Sequence, residues 1–226
     1  MFFSPAEVIH TMQMVAHECL DIRTVTLGIS LLDAPSKDPK RLADFVYDKV
    51  CKRAGRLKAV VADVEAKYGI PIVNTRISVT PTSLICEGLA EKDYVTVARA
   101  LDRAASDLGV DYLAGYSALV HKGATPGDLR HIQSLPQVMS ETSRICSSIS
   151  LATTKSGINM DAVRLMGFTI KAIAEATADK QGLGCARLVV FANVPEDNPF
   201  VAGAFHGTGE PDTVINVGVS GPGVVL

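Results

Sequence analysis

The chain has 226 residues, 47% of them hydrophobic and 20% charged, and its 22 basic and 24 acidic side chains leave a formal net charge of -2. That balance supplies no positive field to gather nucleic acid or anionic lipid, and so apolar a chain is not disordered. No apolar run approaches the roughly 18 residues that cross a bilayer. A chain of this size buries about 70% of its surface on folding, enough for one domain over 1–226 without disulfides or metals. Its cysteines, Cys19, Cys51, Cys86, Cys146 and Cys185, are odd in number and hold no C-x-x-C pair, which argues against a disulfide framework or a zinc knuckle. The first twenty residues carry Glu7, His10, His17 and Glu18 with no basic start and no unbroken apolar core. They do not read as a signal peptide, so the expected compartment is a reducing cytoplasm.

Helical and strand periods alternate along the chain. Ser4-Pro5-Ala6-Glu7 supplies an N-cap, a proline at the first helical position and an acidic first turn for a helix reaching about residue 18. Residues 24–31 then alternate strictly between large apolar and small or polar side chains, the mark of a strand. A long helical region follows over 38–68, then a strand over 72–80, a short helix after Thr80-Pro81 and a helix over 93–108. The spacing next predicts strand 112–120, helix 126–144, strand 145–152, helix 159–179, and strands 187–194 and 213–219. Such alternation points to a mostly parallel sheet made of right-handed β-α-β units. No linker interrupts it, and 195–212, rich in Gly, Pro, Asn and acids, is the longest stretch with neither pattern.

The strands are two-sided. One face carries Ile77 and Val79, Ile149 and Leu151, and Ile215, Val217 and Val219; the other carries Asn74, Arg76, Ser78 and Thr80, Cys146, Ser148 and Ser150, and Asn216, Gly218 and Ser220. Strands covered by helices on both faces would be apolar throughout, so the pattern predicts a curved sheet with helices on one face and a polar interior on the other. Strand 112–120 fits less well, because both of its faces hold large residues. Strand 213–219 has only seven residues after it. It is therefore expected to leave an open edge and an apolar face that favour a homodimer or higher homo-oligomer.

Ligands in parallel α/β folds meet the loops at the carboxyl ends of strands, and here those loops are polar. They hold Asp33, then Ser78, Thr80, Thr82 and Ser83, then His121 and Lys122, then Thr153 to Ser156, and then Asn193, Glu196, Asp197 and Asn198. Lys155-Ser156-Gly157 lies between a strand and a helix capped near Asn159, a setting either for binding a phosphate or carboxylate or for an ordinary cap with a solvated lysine. It matches no nucleotide-binding motif, so no nucleotide cofactor is implied and the identity of any cofactor stays open. His206, set among glycines, has Glu196 and Asp197 near it in sequence; the set suits an acid-base pair, a Mg²⁺ or Mn²⁺ site, or a solvated turn. Cys146, on the polar strand face, is the best-placed thiol, either a nucleophile or a small residue chosen for fit. The glycines around Gly221 can bring backbone amides to an anion or simply turn the chain.

Several strings resemble uncharacterised protein family 0210, also called domain of unknown function 711. They include Asp21-Ile22-Arg23-Thr24, Gly69-Ile70-Pro71-Ile72-Val73-Asn74, Ser78-Val79-Thr80-Pro81, Thr154-Lys155-Ser156-Gly157-Ile158-Asn159-Met160, Glu196-Asp197-Asn198-Pro199-Phe200, Gly203-Ala204-Phe205-His206-Gly207 and Ile215 through Gly223. The resemblance implies a ten-stranded α/β barrel of the pyruvate formate-lyase and ribonucleotide reductase type, built of two five-stranded halves. It further implies that this chain is about the N-terminal half, that members are homodimers, and that a small ACT-domain protein is a frequent genomic neighbour. Fold resemblance does not carry radical chemistry with it. The expectation is an enzyme acting on a small anionic metabolite, with His206 and Glu196 or Asp197 moving protons and Lys155 and Ser156 holding charge. The alternatives are a metabolite-binding or regulatory protein working with an ACT-domain partner, and an inactive half-domain.

Overall fold

The computed structural model describes residues 4–16, 22–34, 38–200 and 202–219. His17, Cys19 and Gly221 lie outside them. Helix α1 (Pro5–Ala16) precedes strand β1 (Ile22–Ile29), and helices α2 (Pro39–Ala54) and α3 (Leu57–Tyr68) follow it. The expected single helical region over 38–68 is thus two helices. Asp38 caps α2 by accepting from the Arg41 N-H at 2.8 Å, with Pro39 in the first turn. Gly69, at φ +69°, closes α3 in the left-handed conformation that suits glycine.

Strand β2 (Ile72–Val79) leads through α4 (Thr82–Ile85) and α5 (Glu91–Asp107) to β3 (Tyr112–Leu119), and α6 (Pro126–Glu141) leads to β4 (Ile145–Thr153). A capping box starts α6: the Thr125 hydroxyl accepts from the Asp128 N-H and the Asp128 carboxylate accepts from the Thr125 N-H. Beyond β4 a tight turn forms the two-residue strand β5 (Gly157–Ile158), followed by α7 (Met160–Ala176), β6 (Leu188–Ala192) and β7 (Thr213–Val219).

The sheet is mixed rather than wholly parallel. Strands β1, β2, β3, β4 and β6 run parallel in that spatial order, β7 pairs antiparallel with β1, and β5 pairs antiparallel with the end of β4. Val25, Leu27, Ile29, Ile77, Val79, Leu113, Tyr116, Ile145 and Ile149 form one core with side chains of α2, α3, α5, α6 and α7. The two-sided strand pattern is therefore real. No helix among the described residues is long and apolar enough to cross a membrane.

Strand β3 shows why its alternation reads poorly. Its register with β4 shifts between Leu113 and Tyr116, and Gly115 lies there at φ +105°. A Cβ on Gly115 would stand 2.3 Å from the Val79 carbonyl oxygen, so only glycine fits this bulge. The extra residue changes the phase, and Leu113 and Tyr116, three apart, both enter the helix-side core while Ala114 and Ser117 face the other way.

On that other face, Ala114, Cys146 and Ala204 make a small cluster, and the Ser117 and Ser148 hydroxyls meet at 2.7 Å. The chain between β6 and β7 lies across it. Gly203 lets it pass over Phe191, since a Cβ there would come within 2.5 Å of the ring. The His206 N-H donates to the Val79 carbonyl at 3.0 Å, and Asn198 and Phe205 bridge each other through their backbones. At the sheet edge, β7 pairs with no strand except β1 among the described residues, and Ile215 and Val217 are 62% and 57% exposed on the helix side.

Candidate functional site

A cavity of about 530 Å3 opens at the carboxyl ends of β3, β4 and β6. Its wall includes His121, Lys122, Lys155, Glu196, Phe205 and Glu210. The turn after β3 supplies the first two residues, tightened by a Gly123 N-H bond to the Val120 carbonyl at 3.1 Å with Gly123 at φ +115°. The turn between β4 and β5 supplies Lys155, and the chain after β6 supplies Glu196 and Glu210. Two cationic and two carboxylate side chains thus share one cavity with an imidazole.

His121 carries the distinctive electrostatics. Its Nδ1 is buried and has no hydrogen-bond partner among the described residues. Burial, and after it the neighbouring Lys122 charge, hold its pKa below the usual histidine value. The ring is therefore neutral near pH 7 and can accept a proton. The sequence places His121 in a carboxyl-end loop but does not set it apart from the other polar residues there. The available signal was a His-Lys pair at a strand end followed by a turn glycine.

The other singled-out residues divide by location. Lys155 lines the cavity, but the backbone amides around it are already engaged: the Thr154 N-H donates to Asn193 Oδ1 at 2.6 Å and the Ser156 N-H to Thr153 Oγ1 at 3.1 Å. The expected strand-loop-helix anion cradle is a hairpin turn, with Gly157 at φ +77° and α7 beginning beyond it at Asn159. Asn193, itself left-handed at φ +55°, fastens this hairpin to the end of β6. Ser156 pairs with Thr153 Oγ1 through its hydroxyl at 2.6 Å. Thr80 Oγ1 accepts from the buried Leu31 N-H, Ser78 is buried beside β1, and Asn198 bonds within its own loop to Gly203 and Phe200. These last three serve the frame.

His206 is 1% exposed and is absent from the cavity wall. Its Nε2 lies 2.8 Å from the Pro211 carbonyl, which only accepts, so Nε2 carries the proton. Its Nδ1 lies 3.9 Å from Asp197 Oδ1, an oxygen that accepts from the Gly207 N-H at 2.7 Å. The ring sits where a Cβ on Gly28 would be, 2.5 Å from Nδ1. His206 and Asp197 together hold the loop that carries Glu196 and Glu210. No three His, Cys, Asp or Glu side chains gather as a metal-ligand set among the described residues.

Cys146 lies elsewhere. It and Thr153 stand near opposite ends of β4, about 23 Å apart at the usual strand rise. Burial pushes its thiol up to about 11, so it is neutral at physiological pH and a poor nucleophile there.

A mixed α/β sheet, covered by helices on one side and crossed by the loop between β6 and β7 on the other, defines the class of protein. A family model described as Uncharacterised ACR (DUF711) matches residues 13–226. A UPF0210 protein of Methanosarcina acetivorans is 56% identical over 226 residues, covering 99% of this chain and 49% of that protein. One from Syntrophotalea carbinolica is 57% identical over 225 residues, covering 100% and 50%. The chain belongs to the UPF0210 (DUF711) family. It spans about half the length of the curated relatives it matches.

Proposed function

We propose that the protein is an enzyme acting on a small anionic metabolite in the carboxyl-end cavity. The carrying observation is the neutral, partner-poor His121 imidazole sharing that cavity with Lys122, Lys155 and Glu196. His121 takes a proton from the substrate, Glu196 serves as the second proton-transfer group, and the two lysines hold the anionic group. His206 and Asp197 are positioning residues, acting through the loop they fasten.

The test is metabolite profiling with purified protein and its His121→Gln variant. Depletion of a small anion by the wild type, slowed roughly 10²- to 10⁴-fold in the variant, is the expected result. Depletion that survives the substitution overturns the assignment of the base. Binding without any chemical change overturns the enzyme reading and favours a regulatory metabolite-binding role, the setting to which an ACT-domain partner belongs.

The architecture proposed for this site is half of a ten-stranded barrel of the pyruvate formate-lyase type, closed by a second half or a second copy of the chain. Thr24, Thr26 and Ser150 support this reading, for each keeps a buried hydroxyl without a partner among the described residues, as a polar interior requires. The exposed Ile215, Val217 and Val219 support it from the edge. The antiparallel direction of β7 departs from an all-parallel half, and in this reading the closing contact lies at that strand. Light scattering at micromolar concentration is expected to show a homodimer or larger oligomer; a stable monomer that does not aggregate sinks the open-edge reading.

A further inference from the structure

A second cavity, of about 560 Å3, lies at the amino ends of the strands. Arg76, Lys180 and Arg187 line it with Tyr112, Cys146 and Leu183, and among the described residues no carboxylate does. Each cation is held by neutral groups. Arg76 Nε donates to Asn74 Oδ1 at 2.8 Å, and its guanidinium lies 5.5 Å from the centre of the Tyr112 ring. Arg187 donates to the Ile145 carbonyl at 3.0 Å, to Thr142 Oγ1 at 3.2 Å and to the Met139 carbonyl. Lys180 Nζ donates to the Ser140 carbonyl at 2.8 Å.

No ion pair neutralises any of the three among the described residues. The nearest carboxylates favour the charge of Arg76 and Arg187 from a distance but bond to other groups: Asp111 accepts from Thr75 and pairs with Lys58 at 3.5 Å, and Asp102 accepts from the backbone N-H groups of Ser143 and Arg144. Burial lowers the basicity of Arg76 and Arg187, yet a guanidinium remains charged at physiological pH, and the neutral Cys146 thiol cannot compensate it. Beside these cations stand exposed apolar surfaces, Leu183 at 61% and Tyr112 at 39%. Three cations without an ion-pair partner among the described residues, next to an aromatic ring and an aliphatic wall, complement a molecule that is acidic at one end and apolar at the other.

We infer that this cavity binds a small organic anion, its phosphate or carboxylate on the Arg76 and Arg187 guanidiniums and its apolar body against Tyr112 and Leu183. It is separate from the proposed reaction site, since Cys146 and Thr153 lie near opposite ends of β4.

The test is calorimetric titration of the full chain with phenyl phosphate, benzoate and inorganic phosphate. Phenyl phosphate or benzoate should bind saturably and more tightly than inorganic phosphate. Arg76→Gln should weaken that binding about tenfold or more, and Lys155→Gln should leave it unchanged. Arg187 anchors the end of α6, so the second variant is Ala202→Phe, which fills the cavity wall without removing a charge and should also block binding. The inference fails if no probe binds at millimolar concentration, if inorganic phosphate binds as tightly as the aromatic anions, or if Lys155→Gln weakens binding while Arg76→Gln and Ala202→Phe do not.

Discussion

On the helix-covered face of the sheet, Val25, Leu27, Ile29, Ile77, Val79 and Leu113 are each at most 8% exposed and meet side chains from five helices. Strands β1 to β4 present Thr24, Thr26, Gly28, Ser78, Ala114, Cys146 and Ser148 on the opposite face, where the chain between β6 and β7 lies across them. Large branched residues fill space on the first face and fix the helices. Small residues on the second make room for a loop, and both cavities that could hold a ligand open beside it. The difference teaches that the two faces respond to opposite substitutions. Removing atoms damages the helix side, and adding them damages the loop side.

The pair Tyr116→Ala and Gly28→Ala tests this. Tyr116 is fully buried, stacks on His131 at 4.3 Å between ring centres and bonds Ser134 Oγ at 2.7 Å. Its truncation leaves a cavity and removes one of the two hydrogen bonds of Ser134 Oγ, which still donates to the His131 carbonyl, and should cost about 3–5 kcal/mol by chemical denaturation. Gly28→Ala puts a methyl group 2.5 Å from His206 Nδ1, and the ring, held by the Pro211 carbonyl, must move. That overpacking should cost roughly 1–3 kcal/mol. Faster hydrogen exchange should appear in residues 196–211, with the helices unchanged. If Gly28→Ala is as costly as Tyr116→Ala and unfolds both faces together, the loop belongs to the cooperative core and the contrast is lost.

Much of the fold is legible in the sequence because side chains on a strand alternate with period two, so Leu27 and Ile29 or Ser148 and Ser150 announce their faces directly. Strand β3 resists that reading because a bulge is a local change of phase, marked in sequence only by Gly115. The hairpin at Gly157 is missed for a different reason: a two-residue strand has no period. The site is legible as far as position along the chain decides it, which puts His121, Lys155 and Glu196 at strand ends. The burial of His206 is not legible in that way, because the space it fills is created by Gly28, a glycine remote in sequence. The amino-end cavity is invisible for a similar reason. Arg76, Tyr112 and Arg187 come together only through the pairing of β2 with β3 and of β4 with β6.

The smallest expected effect sharpens the comparison through histidines. His121 lines a cavity on the open side of the molecule, whereas His131 is buried in the helix-side core, between Tyr116 and an edge-on Tyr94, with Thr82 Oγ1 at 3.2 Å from Nε2 and no partner for Nδ1 among the described residues. Burial holds its pKa down to about 3. The unfolded chain takes up this proton near pH 6.5 and the folded protein does not, so the contribution is fully present above pH 6.5 and shrinks as pH falls toward 3. The slope is about 1.4 kcal/mol per pH unit, so acidification to about pH 5.5 should cost roughly 1.4 kcal/mol through this group. Other groups titrate in the same window, which makes the informative quantity the difference between wild type and His131→Gln in urea denaturation across a pH series. Glutamine changes the stability by an offset that does not depend on pH, so the two curves should converge on acidification. Parallel curves from pH 7.5 to 4.5 would mean that the folded protein protonates His131 as readily as the unfolded chain does. The helix-side core would then admit water and charge, as the open face does, and the division between the faces would not hold.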